Sequence, residues 1–306
     1  SLIVLFVFTQ HVTSQVSALK VIPEVQHFDG KSGTYTLPST VKILVNTTKN
    51  DSLMNIAEQL KEELHTMFKI EASVDTTSAT KAVAANEIVL TYSNNALTNS
   101  EAYTLNMNSS EGVTIQGVAR DGAFWATRTL LQLAENHNNL IPCGLVTDFP
   151  DYPTRGFMID VARKFFTIDY LRDYVKILSY YKMNELHVHL NDNGFKSYYE
   201  DDWSKTYAAF RVESDTYPGL AAKDGHYTKE EFRNLQLLGM QYGVNVIPEI
   251  DIPAHSLAFT RYMPELEASA PYAKDHLDIL DDKKLPIIYD FFDKLFDEYI
   301  KGDNPT

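Results

Sequence analysis

Apolar positions in the first half of the chain follow two different periods. TVKILVN (40–46), EIVLTYS (87–93), YTLNMN (103–108) and GVTIQGV (112–118) alternate or run β-branched, as strands do, with Asn108 to Gly112 as a turn. DSLMNIAEQLKEELHTMF (51–68) places Leu53, Ile56, Ala57, Leu60, Leu64 and Phe68 at helical spacing, and GAFWATRTLLQLAEN (122–136) is a second amphipathic helix. This order predicts a small α+β sandwich domain, with helices on one face of a mainly antiparallel meander. The proline-bearing stretch PCGLVTDFPDYPT (142–154) reads as the linker, which divides the chain into domains 19–150 and 151–306.

Beyond Arg155 strands and helices alternate strictly. GFMIDVAR (156–163) precedes a helix from Thr167 to about Lys182 that carries Ile168, Leu171, Val175 and Leu178 on one face. NELHVHLND (184–192) leads through a long loop to a helix opened by a Thr228–Glu231 capping box and closed by Gly243. VNVIPEIDIPAH (244–255) then precedes a helix from Pro286 to Lys301, stopped by Gly302. Such alternation predicts a parallel α/β sheet with crossover helices, the first three βα units of an incomplete (β/α)8 TIM barrel.

The three strands end alike, and unusually. Charges are costly to desolvate inside a sheet, yet Asp160, Arg163, His187, His189, Asp192, Glu249, Asp251 and His255 gather toward the carboxyl ends. In a parallel barrel that end is the mouth where active sites are built. Tyr180, Tyr181, Tyr198, Tyr199, Trp203 and Tyr207 add an aromatic-rich stretch, placed on the long loop after the second strand. Aromatic rings there suit either loop packing or stacking on a ligand.

Charge and cysteine usage narrow the partners. A formal net charge of −14 argues against nucleic acid and anionic membrane, both of which reward basic patches. Cys143 is the only cysteine, so neither an intrachain disulfide nor a Cys-based zinc site can form. His187 and His189 share a strand face, but no third ligand is evident on a nearby strand, so neither metal nor other cofactor is expected.

The start of the chain reads as an export signal. Ser1 is followed by LIVLFVF (2–8) and HVTSQVSA (11–18), like the apolar core and cleavage region of a signal peptide occupying 1–18. The apolar run is too short to span a bilayer as a helix. The expectation is an exported protein (periplasmic, cell-surface or secreted), and the lack of disulfides favours a bacterial source. The chain stops at GDNPT (302–306) with no closing element and reads as a fragment.

ATRTLLQL (126–133), DFPDYPTRGFMIDVARKFF (148–166), MNELHVHLNDN (183–193) and NVIPEIDIPAHS (245–256), in this order, resemble the family 20 glycoside hydrolases, exo-acting β-N-acetylhexosaminidases. The resemblance implies that Arg163 binds hydroxyls 3 and 4 of a terminal sugar, a task suited to a planar guanidinium fork. It implies that Asp192 and His255 support a general acid, with Asp160, His189, Glu249 and Asp251 behind them. Val188, Asn193, Ala162 and Lys164 stand where members often carry Trp, Asp, Ser and His, which leaves substrate preference open.

The family's catalytic pair is an adjacent Asp-Glu at the end of the fourth strand, after a His-x-Gly motif. The pairs Glu62-Glu63, Asp201-Asp202, Glu230-Glu231 and Asp281-Asp282 lie in predicted helices or loops, and Asp297-Glu298 lies in the last helix without the His-Gly context. The resemblance therefore implies substrate-assisted retaining hydrolysis of β-linked N-acetylhexosaminides, with the pair outside these residues and the fragment itself inactive. A catalytically silent sugar-binding homologue and a lacto-N-biosidase-like, disaccharide-releasing hydrolase are the alternatives.

Overall fold

The computed structural model describes residues 19–46, 51–77, 83–92 and 97–300; the expected export signal lies outside them. The chain forms two compact units that divide after Asp151. The first contains β1 (His27–Tyr35), β2 (Thr40–Asn46), α1 (Asp51–Phe68), β3 (Glu71–Thr77), β4 (Glu87–Tyr92), β5 (Tyr103–Asn108), β6 (Gly112–Gly117), α2 (Arg120–Asn136) and β7 (Ile141–Asp148). Its seven strands form one sheet in the order β1-β7-β5-β6-β4-β2-β3.

The sheet is mixed, not mainly antiparallel as expected. β2 pairs in parallel with β3 and β4, and β4 pairs in parallel with β6. α1 is the reason for the first of these: a strand–helix–strand return brings the chain back in its original direction. The expected meander survives only as the β5–β6 and β5–β7 pairs.

The presumed linker is also partly structure. Residues 141–148 form β7, which pairs antiparallel with both β1 and β5. Pro142 and Gly144 disguised it as a turn. Gly144 has φ +151°, and a Cβ there would lie 2.5 Å from the Asp29 carbonyl oxygen, so the two strands could not approach with a larger residue. α1 and α2 pack on each other and on the sheet, burying Leu53, Ile56, Leu60, Leu130 and Leu133. Between these helices Arg128 forks onto Glu63.

The second unit contains β8 (Gly156–Asp160), α3 (Ile168–Tyr180), β9 (Glu185–His189), β10 (Asn191–Asn193), β11 (Ala208–Phe210), α4 (Lys229–Gln241), β12 (Asn245–Glu249), α5 (Leu257–Tyr262) and α6 (Leu285–Ile300). β8, β9 and β12 make a parallel sheet in the order β12-β9-β8. Leu186 and Val188 of β9 are fully buried, in one core with Leu171 and Val175 of α3, Leu235 of α4 and Phe291 of α6. Thr167 caps α3, and Thr228 with Glu231 forms the predicted capping box of α4.

The strands are shorter than their apolar runs suggested. Regular pairing ends at Asp160, His189 and Glu249, which are direct neighbours across the sheet. Tyr180 ends α3 and Tyr181 caps it, so these two belong before β9 and not to the loop that follows it. No helix among the described residues is long and apolar enough to cross a membrane.

Candidate active site

Because Asp160, His189 and Glu249 share one register, their side chains meet at one end of the sheet. His189 Nδ1 lies 2.9 Å from Glu249 Oε2, and its Nε2 lies 2.7 Å from Asp192 Oδ2. Asp192, only 1% exposed, is the hub. Its Oδ1 accepts from the Asn193 amide at 2.6 Å and faces His255 Nδ1 at 2.7 Å. Its Oδ2 also faces Arg163 Nη2 at 2.6 Å. His187, one pleat back along β9, has Nε2 2.9 Å from the same Glu249 oxygen.

Arg163 is held on three sides. Nε donates to the Asn193 carbonyl at 3.1 Å and Nη1 to Asp160 Oδ2 at 2.9 Å, while Nη2 forms an ion pair with Asp192 Oδ2. A guanidinium carries one N–H on Nε and two on each terminal nitrogen. At least one N–H on each terminal nitrogen therefore has no hydrogen-bond acceptor among the described residues, and the side chain is 36% exposed. The fork is oriented by two carboxylates and half open.

The charges of the hub reinforce each other. The hydrogen bond to Asp192 pushes His189 up to about 9, against the opposing effect of burial and with help from Glu249. Burial alone would raise the Asp192 carboxyl, but bonds from His189, the Asn193 amide and His255 outweigh it and hold the group below its ordinary range. The pair is thus an imidazolium beside a carboxylate at neutral pH.

All the residues expected at the mouth are brought together, but with differing directness. Arg163, Asp160, Asp192, His189, Glu249 and His255 form one chain of contacts. Asp251 is more peripheral, its Oδ2 lying 4.0 Å from His255 Nε2. Arg163 also pairs with Asp160 through Nη1, which leaves the rest of the guanidinium toward the exposed side.

Sequence reading missed three supports. Asn191, fully buried, donates from Nδ2 to the carbonyls of Asp251 and His255 and accepts from the Asp251 amide. It thereby pins the turn in which His255 adopts φ 56°, a conformation non-glycine residues rarely take. Arg211, also fully buried, donates to the carbonyls of Val161 at 2.8 Å and Ala162 at 2.7 Å, the two residues preceding Arg163. Asp275, from the segment after α5, accepts from Asn193 Nδ2 at 3.2 Å. An Asn beside the more conspicuous Asp192, or a lone Arg after a loop, carries no periodic signal that would have marked it.

The metal question needs a correction. A third group does lie on a neighbouring strand, since Glu249 faces His189, and the sets Asp160–His189–Asp192 and His189–Glu249–Asp251 each have donor atoms within 4.8 Å of one another. Both nitrogens of His189 are turned to carboxylates of the network, Nδ1 to Glu249 and Nε2 to Asp192, so the ring already has a partner on each side. A cavity of about 760 Å³ between β12, α4 and α6 shares only His187 and Glu249 with this network and has mostly apolar walls, among them Phe232, Ile247 and Phe296.

Glu298 is committed elsewhere. It accepts from Ser214 Oγ, the amides of Asp215 and Thr216, and Lys229 Nζ. Burial opposes these bonds but loses, and the carboxyl is lowered to about 2. A group held ionised so firmly is a poor general acid, so Asp297-Glu298 resembles the family pair in letters only.

Comparison with known proteins agrees with this arrangement. The catalytic-domain model of glycosyl hydrolase family 20 matches residues 152–302, and the model of its domain 2 matches residues 18–149. A β-hexosaminidase of Akkermansia muciniphila is 34% identical over 168 residues, 54% of this chain and 34% of that protein. A β-hexosaminidase of Vibrio furnissii is 28% identical over 261 residues, 82% of this chain and 40% of that protein. The chain thus spans about a third to two fifths of the length of these relatives. The family 20 β-N-acetylhexosaminidase of Streptomyces coelicolor superposes with TM-score 0.72 at 25% identity, covering 92% of this chain and 57% of that one. The fold is also that of the exo-β-N-acetylglucosaminidase of Vibrio harveyi solved with N-acetylglucosamine, at TM-score 0.72 and 23% identity, over 92% of this chain and 44% of that one. With two models of one family matching in succession over both units, the chain belongs to glycosyl hydrolase family 20.

Proposed function

We propose that this chain supplies the sugar-holding side of an exo-β-N-acetylhexosaminidase pocket. The observation that carries the reading is Arg163, whose fork is held between Asp160 and Asp192 and keeps at least one N–H on each terminal nitrogen without an acceptor among the described residues. Donors on two nitrogens of one planar guanidinium lie at a fixed spacing that suits two vicinal hydroxyl oxygens of a terminal pyranose. His255 and Asp192 back the far side of the pocket, where a hydrogen-bonded relay suits the support of a general acid.

In this reading the three βα units begin an eight-unit barrel, residues 19–150 form the accompanying α+β domain, and the protein is exported. Hydrolysis is retaining and substrate-assisted: the 2-acetamido oxygen attacks the anomeric carbon, an acid protonates the leaving oxygen, and water later opens the oxazolinium ring. The acid and the residue that orients the acetamide come from the Asp-Glu pair expected downstream. Substrates are glycans or chito-oligosaccharides with β-linked terminal GlcNAc or GalNAc; no nucleic acid, cofactor or metal takes part.

The test compares two proteins on a chromogenic β-GlcNAc substrate. The full reading frame is expected to cleave it and the 306-residue chain to leave it intact. Cleavage by the short chain at a comparable rate would contradict the division of labour. Sugar binding without cleavage by the full frame would instead identify a silent carbohydrate-binding homologue.

A further inference from the structure

Asp275, in the segment that follows α5, reaches two strand ends at once. Its carboxylate accepts from Asn193 Nδ2 at 3.2 Å, and its carbonyl accepts from the Ser256 amide at 2.9 Å. Asn193 follows Asp192 in the chain, and Ser256 follows His255. One residue thus ties down the immediate neighbours of both partners in the Asp192–His255 contact. The Leu277 amide, donating to the Pro253 carbonyl at 2.8 Å, joins the same two segments a second time.

Asn193 carries this tie to the arginine. Its carbonyl accepts from Arg163 Nε at 3.1 Å, while its backbone amide donates to Asp192 Oδ1 at 2.6 Å. Its side chain is buried, with Oδ1 left without a hydrogen-bond partner among the described residues. A buried acceptor left unmet costs stability, so the side-chain amide is not placed for its own best bonding. Turning it over would set Oδ1 against the Asp275 carboxylate, acceptor against acceptor, so the carboxylate fixes its orientation. An aspartate at 193, the residue that family members often carry, would face Asp275 there as a like charge. Asn193 and Asp275 therefore read as a matched amide–carboxylate pair. Of the charges around the pair, His276 Nδ1 lies 2.8 Å from the other Asp275 oxygen, and Lys274 is turned to Glu267 at 3.3 Å. Arg163 and Asp192 meet the Asn193 backbone.

We propose that Asp275 is a positioning residue for Arg163, acting through Asn193, and that from the same point it sets the Asp192–His255 contact. The inference rests on the reading of Arg163 as the sugar-binding residue, and Asp275 itself touches no sugar in it. While the Asn193 side chain is held, its carbonyl stays on Arg163 Nε and its backbone amide on Asp192. Once it is released, Arg163 loses one of the three contacts that aim its outer N–H groups.

Isothermal titration of the 306-residue chain with GlcNAc, paired with melting temperatures, tests this. Asp275→Ala and Asn193→Asp are each expected to bind about tenfold more weakly, the effect of losing one hydrogen bond to a charged group. Asp275→Asn keeps an acceptor for Asn193 and should stay within about twofold of the wild type. Combining Asn193→Asp with Asp275→Asn restores an amide facing a carboxylate in the reverse sense, and should recover affinity to within about twofold. The deficit of Asn193→Asp alone should shrink as pH falls from about 8 to about 5, because two facing carboxyls take up a shared proton more readily than one. A combined variant no better than Asn193→Asp would overturn the proposal, and it decides the matter if Asp275→Ala fails to fold. An Asp275→Ala chain that melts lower yet binds GlcNAc like the wild type would also overturn it, since that marks a purely structural tie. Arg163→Met separates the two ideas: unchanged GlcNAc affinity there overturns the reading of Arg163 itself. Failure of the wild-type chain to bind GlcNAc sinks both.

Discussion

Arg128 in the first unit and Arg163 in the second make the same kind of contact with opposite results. Arg128 is 2% exposed and turns both terminal nitrogens onto one carboxylate, Glu63, while Nε bonds to Thr127. Arg163 is 36% exposed and divides its terminal nitrogens between two carboxylates, Asp160 and Asp192, which leaves at least one N–H on each without an acceptor among the described residues. The first arrangement ties α1 to α2. The second sacrifices closure to keep directed donors at a surface. A charged pair in a fold is thus read best by asking which donors remain after the protein's own partners are counted.

The largest expected effect comes from the hub. Asp192→Ala leaves the His189 imidazolium, His255 and Arg163 without their shared counter-charge, and should cost about 3–5 kcal/mol of unfolding free energy in denaturant titrations, together with sugar binding. Arg128→Met strands a partly exposed Glu63 and should cost about 2–3 kcal/mol while sugar affinity stays the same. If both substitutions abolished binding, the contrast between the two arginines would be lost.

A smaller effect is set by pH. His189 has a folded pKa raised from 6.5 to about 9. Its contribution to stability is therefore fully present below about 6.5 and lost as pH rises through about 9. Asp192 has a lowered folded pKa, so its contribution is present above 3.8 and lost as pH falls through the lower folded value. Melting temperature followed from pH 4 to 10 should thus decline between about 6.5 and 9. His189→Gln should remove that decline; a curve unchanged by the substitution would show that other groups carry it. The smallest stability change belongs to Arg163→Met, below about 1 kcal/mol, since a half-exposed ion pair contributes little.

Much of this was legible in the sequence, for identifiable reasons. The capping box at Thr228 and the apolar faces of the helices are local signals, and α1, α2, α3, α4 and α6 lie where periodicity placed them. The polar strand ends were visible because charge at the end of an apolar run breaks a strong pattern. β1 and β7 were not visible: Gly30, Gly33, Pro142 and Gly144 look like turns unless the partner strand is known. Parallel pairing of β2 with β4 and of β4 with β6 is a long-range choice that alternation alone cannot reveal. Within the site, Arg163, Asp192 and His255 were carried by family resemblance. Asn191 and Arg211 act through backbone carbonyls, and such contacts leave no mark on spacing.

The central claim is that the half-open fork of Arg163 holds a sugar, and the most direct measurement is GlcNAc affinity of the 306-residue chain and of its Arg163→Met and Arg163→Lys variants. The account predicts binding by the wild type and at least about a tenfold loss in both variants, because lysine keeps the charge but not the parallel donors. Affinity retained by Arg163→Met, with the fold intact, would contradict it.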